Sequence, residues 1–169
     1  MENHLKKIIF SLINAKVQFV IAGGVAVVFQ GVERLTMDID IAVNMDRDNL
    51  RRFIDVMKEL QLTPRAPISA ESLLDKAKIT MIINEKHALV FTFIDVDQPF
   101  RQVDLFLTNS HSYENLIPDA DVVKIQDYNV VIASKKKLIE LKKAINPPRQ
   151  KDLIDINELQ KLLDLENNE

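Results

Sequence analysis

The chain has 169 residues, 22 of them Lys or Arg and 25 Asp or Glu, for a formal charge of −3. That balance excludes a polycation that binds nucleic acid over its whole surface, and leaves any such contact to a local patch. Hydrophobic residues make up 47% and cysteine is absent, which excludes a wholly disordered chain, a disulfide scaffold, a thiolate metal site and a cysteine nucleophile.

Leu5, Ile8, Ile9, Leu12 and Ile13 recur at helical spacing, with Lys6, Asn14 and Lys16 off that face. The segment therefore reads as an amphipathic helix and not as a signal peptide, although Lys6-Lys7 stands before Ile8-Ile9-Phe10. The apolar stretch from Val17 to Phe29 contains Gln18 and two glycines and is too short to span a bilayer. A cytoplasmic protein without membrane association is expected. Val17 to Ala22 reads as a buried strand, Gly23-Gly24 opens a short helix over Val25–Gln30, and Gly31 is its stop. Met37 to Val43 alternates strictly, with Met37, Ile39, Ile41 and Val43 on one face and Asp38, Asp40 and Ala42 on the other. A helix follows over Asp48–Leu60, then a loop marked by Pro64 and Pro67, then a short helix over Ser69–Lys76.

Three strands are predicted next, Ile79–Asn84, Leu89–Ile94 and Gln102–Leu107, joined by short turn-rich segments into an antiparallel meander. A shorter strand covers Val122–Gln126. Beyond Asp127-Tyr128-Asn129 the chain turns helical, over Lys135–Ile145 with Ser134 as N-cap and, after Pro147-Pro148, over Arg149–Leu163. The acidic end, Asp164 to Glu169, is expected to fray. The pattern predicts an α/β (α+β) fold, a mixed β-sheet flanked by helices. Residues 1–132 are expected to form the core, and 133–169 a helical segment that completes the same domain.

The chemistry concentrates in Gly23-Gly24 and Asp38-Ile39-Asp40. Carboxylates at i and i+2 on a strand share a face and repel, and the simplest remedy is a divalent cation such as Mg²⁺. Two carboxylates, a metal and substrate phosphates are the arrangement expected for phosphoryl or nucleotidyl transfer. Glycines let the backbone approach a phosphate chain at a helix N-terminus. In Gln102-Val103-Asp104-Leu105-Phe106-Leu107 the apolar residues Val103, Leu105 and Leu107 face one way and Asp104 the other, flanked by bulky neighbours, a costly placement unless its charge is used or paired. On a strand beside Asp38 and Asp40 it would share their metal and act as base toward an incoming hydroxyl. Asp95-Val96-Asp97 has the same spacing but no glycine loop before it and Gln98-Pro99 after it, so it reads as a hairpin cap. His4, His87 and His111 show no metal-ligand spacing and read as surface residues.

Gly23-Gly24, Asp38-Ile39-Asp40 and Val103-Asp104-Leu105 resemble the nucleotidyltransferase superfamily with the DNA polymerase β-type fold. More narrowly, Gly23-Gly24-Val25-Ala26 with Gly31, Arg34, Thr36, Asp38 and Asp40 resembles the small bacterial abortive-infection (AbiE-like) toxin nucleotidyltransferases of type IV toxin–antitoxin systems. The tail, Leu141-Lys142-Lys143-Ala144 and Arg149-Gln150-Lys151-Asp152-Leu153-Ile154-Asp155-Ile156, is similar to that group's lysine and Arg-x-Lys-Asp motifs. The resemblance implies Mg²⁺ or Mn²⁺ on Asp38, Asp40 and Asp104, with Asp104 as base and an NTP cradled by Gly23 and Gly24. It implies phosphate contacts from Arg34, Thr36 and Lys142, and Asp152 as part of the last motif. Many superfamily members carry serine at the position of Gly24. For Arg34 the alternative is an ion pair with Glu33 or another surface acid, and for Lys142 a solvated lysine. Residues 134–151 hold seven Lys or Arg against Glu140 alone, which fits a solvated helix face or a phosphate-binding wall. The acceptor implied is a tRNA 3′ end, with a cognate antitoxin as partner. A protein or small-molecule hydroxyl acceptor, or a non-catalytic nucleotide- or partner-binding module, fits the same residues.

Overall fold

A computed structural model describes residues 3–169. Its helices are α1 (Asn3–Asn14), α2 (Gly23–Phe29), α3 (Arg47–Glu59), α4 (Lys76–Lys86), α5 (Tyr113–Leu116), α6 (Lys135–Lys143) and α7 (Gln150–Asn167). Its strands are β1 (Phe19–Ala22), β2 (Asp38–Val43), β3 (Leu62–Pro64), β4 (Val90–Asp95), β5 (Gln102–Phe106), β6 (Asp121–Ile125) and β7 (Tyr128–Ile132). They form one mixed sheet in the order β3-β4-β5-β2-β1-β7-β6, parallel at β2–β5 and β1–β7 and antiparallel elsewhere. The expected mixed sheet with flanking helices is what the chain forms.

Strand alternation gives the sheet one apolar face and one that carries three aspartates. In β2 and β5 the residues Ile39, Ile41, Val103 and Leu105 are fully buried, and the register pairs Ile39 with Val103 and Ile41 with Leu105. Helix α3 covers that face with Leu50, Phe53, Ile54 and Met57, a stripe at i, i+3, i+4 and i+7, and Phe53 meets Phe93 of β4 edge-on at 5.5 Å between ring centres. At ~25 cal/mol per Å² of apolar area, each of these side chains contributes about 1.5–3 kcal/mol over an exposed position. The opposite face carries Asp38, Asp40 and Asp104. There α2 packs on β1 and β2, α6 on α2, and α7 on α6, and Leu159 of α7 lies fully inside the core.

Several predicted elements differ. Ile79–Asn84 is helical, part of α4. Asp75 caps that helix by accepting from the N–H groups of Ala77 and Lys78, and the cap outweighs the β preference of the isoleucines. The third strand of the antiparallel meander is instead β3, a three-residue edge ending at Pro64, inside the segment read as loop. Ser69–Lys76 contains a 3₁₀ turn, Ala70–Leu74. Beyond Asn129 the chain is not yet helical: β7 folds back on β6 through a turn at Gln126, whose φ is 55°, and pairs with β1. The C-terminus stays helical through Asn167, where Lys135 and Glu166 form an ion pair at 2.6 Å.

Candidate active site

Asp38 and Asp40 project from β2 on one face, and the parallel pairing of β2 with β5 sets Asp104 directly beside Asp40. One carboxylate oxygen from each of the three lies within 4.8 Å of the others. Such a cluster is under electrostatic load. Burial, then the charges of Asp38 and Asp104, push the Asp40 pKa from 3.8 up to about 7, against a partial pull downward from Lys142 and Lys151. Asp104 is held differently: its Oδ1 accepts from Thr92 Oγ1 at 2.6 Å and its Oδ2 from Gln102 Nε2 at 2.8 Å.

The two glycines stand against this cluster for separate reasons. Gly23 has a φ of 58°, and a Cβ there would lie 2.0 Å from Asp40 Oδ2, so only a bare backbone admits the carboxylate. A Cβ on Gly24 would lie 2.7 Å from Thr36 Oγ1 and 3.3 Å from Arg34 Cζ. Thr36 and Arg34 therefore flank the opening of α2, whose N-cap residue Ala22 supplies no side-chain hydrogen bond to the first turn.

The C-terminal helices close the site with a ladder of charges. Lys142 Nζ lies 3.1 Å from Asp152 Oδ1 and 3.0 Å from Asp155 Oδ2. Arg149 donates through two nitrogens to Asp152, and Arg34 donates to Asp155. Burial pushes the Asp152 pKa up, but the hydrogen bonds from Arg149 and Lys142 outweigh it and hold the carboxyl below its usual range. Lys142 is thus no solvated lysine; it is 8% exposed. Arg34 pairs with an acid, but a buried one on α7 and not Glu33. Three cations against two anions leave the ladder net positive beside three carboxylates. A cavity of about 120 Å³ joins the two groups, lined in part by Gly23, Asp40, Phe106, His111, Lys142 and Arg149. A larger one, about 710 Å³, opens at Val43, Leu50 and Leu107 and includes none of the three acids.

Among the solved structures that resemble this chain is the lincosamide antibiotic adenylyltransferase LnuA in its lincomycin-bound form. It has a TM-score of 0.64 at 16% identity, over 96% of this chain and 98% of that one. ANT(2'')-Ia in complex with adenylyl-2''-tobramycin matches at TM-score 0.61 and 14% identity, over 96% and 89%. An antigenic nucleotidyltransferase-like protein from Paracoccidioides brasiliensis matches at 0.55 and 15%, over 95% and 77%. The chain has the nucleotidyltransferase fold. No family model matches the sequence, and no curated protein matches it by sequence.

The structure places Asp38, Asp40 and Asp104 in the cluster, Gly23, Gly24, Arg34 and Thr36 at its flank, and Lys142 and Asp152 in the ladder. Asp95 caps its hairpin, accepting from the N–H groups of Asp97 at 2.9 Å and Gln98 at 3.1 Å. Of the histidines read as surface residues, His4 is buried and His111 is half-buried. His4 Nε2 lies 3.1 Å from the Met37 carbonyl oxygen, because Leu5 and Ile8 carry α1 against the core. His111 stacks on Phe106 with ring centres 4.4 Å apart, and its partial burial lowers its pKa. The sequence reading gave no site role to Asp155, Thr92, Gln102 or His111. For Asp155 a signal existed: Asp152 and Asp155 at i, i+3 share a helix face. Thr92 carries no local signal, since only strand register gives it a partner, whereas Gln102 stands two residues before Asp104 on one strand and so on the same face.

Proposed function

We propose that the chain is a metal-dependent nucleotidyltransferase that moves a nucleoside monophosphate from an NTP to a hydroxyl acceptor. The observation that carries this reading is the convergence of Asp38, Asp40 and Asp104 to within 4.8 Å of one another, against the bare backbone of Gly23. Three hard carboxylate oxygens at that spacing suit Mg²⁺ or Mn²⁺ in donor type and charge, and these residues would hold it. A divalent ion there supplies charge neutralisation on the phosphates and polarisation of the reacting phosphoryl group. The chain's own groups do the rest. Asp104 accepts the proton of the acceptor hydroxyl, whose oxygen bonds to the α-phosphorus as the bond to the β-phosphate breaks and pyrophosphate leaves. The N–H groups that open α2 at Gly23 and Gly24, uncapped by Ala22, bind phosphate oxygens. Lys142 and Arg149 line the same small cavity and counter the triphosphate charge, while Asp152 keeps both cations aimed. Arg34 and Thr36, beside Gly24, complete the phosphate contacts. Catalysis in such a site is mostly positioning and electrostatic stabilisation.

The acceptor we assign first is the 3′ hydroxyl of a tRNA, on the resemblance of the Gly23 to Asp40 block and of the tail to the abortive-infection nucleotidyltransferases. A cytoplasmic location, growth inhibition on expression and a cognate antitoxin belong to that assignment. A second reading, a small-molecule hydroxyl, is favoured by the match to LnuA over nearly the whole of both chains. No helix among the described residues is long and apolar enough to cross a membrane. The test incubates the chain with each α-³²P-labelled NTP and Mg²⁺, with total tRNA in one arm and lincosamides and aminoglycosides in the other. An Asp38→Ala/Asp40→Ala variant is the control. Label in tRNA from the wild type alone supports the first acceptor, and label in a small molecule the second. Mg²⁺-dependent NTP binding without transfer to any acceptor points to a binding module, and neither binding nor transfer overturns the proposal.

A further inference from the structure

We propose that Thr92, Gln102 and Arg65 form a positioning relay that fixes the carboxylate of Asp104 in the cluster before any ligand arrives. The inference rests on the nucleotidyl-transfer reading only for the turnover half of its test.

An aspartate on a strand has two soft side-chain torsions, and a carboxylate beside two others is driven to swing away from them. Asp104 is held against that drive at both oxygens. Thr92 lies directly opposite it in the β4–β5 register and donates to Oδ1 at 2.6 Å. Gln102, two residues earlier on β5 and so on the same face, donates to Oδ2 at 2.8 Å. Among the described residues no side-chain donor holds Asp38 or Asp40. The structure therefore presents one preset carboxylate and two that can adjust.

Arg65 decides which way Gln102 points. A glutamine amide can present either its oxygen or its NH₂, whereas a guanidinium only donates. Arg65 Nη2 donates to Gln102 Oε1, which leaves Nε2 to face Asp104. Arg65 is in turn tied to the strand that carries Thr92, because its backbone N–H donates to the Thr92 carbonyl oxygen at 2.9 Å. Two of the three side chains touch the carboxylate, and Arg65 acts through Gln102. This is the arrangement by which outer residues orient a metal-ligating group, and their loss typically costs about 10–100-fold in metal affinity or activity.

The test uses the full chain, with Mn²⁺ as the probe, read by electron paramagnetic resonance, and pyrophosphate release as the second readout. Thr92→Val and Gln102→Met remove the donors with little change in volume, and thermal unfolding checks that each variant folds. Each is expected to weaken Mn²⁺ binding by about 10-fold and to lower kcat with KM for NTP little changed. Thr92→Ser is expected to restore both. Arg65→Ala is expected to weaken Mn²⁺ binding in the wild-type background and to add nothing in the Gln102→Met background. Unchanged Mn²⁺ affinity in Thr92→Val and Gln102→Met overturns the relay. An additive loss from Arg65→Ala removes Arg65 from it. Relay-dependent Mn²⁺ binding in a chain that transfers no nucleotide upholds the relay and overturns the nucleotidyl-transfer reading. A wild-type chain that binds no Mn²⁺ overturns both.

Discussion

At Gly23 an added Cβ would stand 2.0 Å from Asp40 Oδ2, on a backbone whose φ of 58° already disfavours an L side chain. Gly23→Ala is therefore expected to cost about 2–3 kcal/mol in urea unfolding and to abolish NTP binding, since Asp40 must move. At Gly24 the first obstacle is the rotatable Thr36 hydroxyl, so Gly24→Ala should cost about 1 kcal/mol or less and spare the fold. Asp40 gives a pH prediction. Its folded pKa of about 7 exceeds the ordinary 3.8, so between those values the folded state keeps a proton that the unfolded state has lost. Stability of the metal-free chain thus falls as pH rises from about 4 to about 7 and levels off above. Asp40→Asn removes that penalty and should raise stability at pH 8 by on the order of 2 kcal/mol while transfer is lost. By the same sign, Mg²⁺ should raise the unfolding temperature of the wild type more at pH 8 than at pH 5, and that of Asp40→Asn little at either.

Elements α6 and α7 are joined through the buried ladder as well as by apolar packing. Removing the carboxylate at Asp152 leaves Lys142 with Asp155 alone and frees Arg149, so Asp152→Ala should cost about 3 kcal/mol in chemical denaturation. Because the folded pKa of Asp152 is lowered, its contribution is present above the ordinary carboxylate value of 3.8 and is lost as pH falls through the folded value. At α4, Asp75→Ala should cost about 1 kcal/mol, read by the same titration, through loss of the helix cap. These two elements also mark what was legible along the chain. Ser134 capping α6 was readable because the cap and the Lys137 N–H it accepts from lie three residues apart. The isoleucines of α4 suggested a strand because β-branched residues favour strands, and the cap at Asp75 decided for the helix. Strands β3 and β7 were not legible, being short and dependent on partners elsewhere, β4 for one and β1 and β6 for the other.

Taken whole, the molecule is one sheet whose functional face is completed by its last helix. Leu159 is fully buried, and Ile156, Leu162 and Leu163 pack on the same core. Deleting residues 150–169 should therefore abolish cooperative thermal unfolding as well as NTP binding, by exposing that core and stripping Lys142 and Arg34 of their carboxylates. The sequence by itself determined the alternation that sets Asp38 and Asp40 on one face, the acid of β5 set opposite its apolar neighbours, the glycine pair and the helical face of α1. Each follows from side-chain periods of 2 or 3.6 residues, which are local. Only the tertiary structure decided that Asp104 sits beside Asp40, that Thr92 and Gln102 hold it, and that Arg34, Lys142 and Arg149 share Asp152 and Asp155. Register is fixed by burial of the apolar face, and no local pattern specifies which distant segment that burial brings alongside.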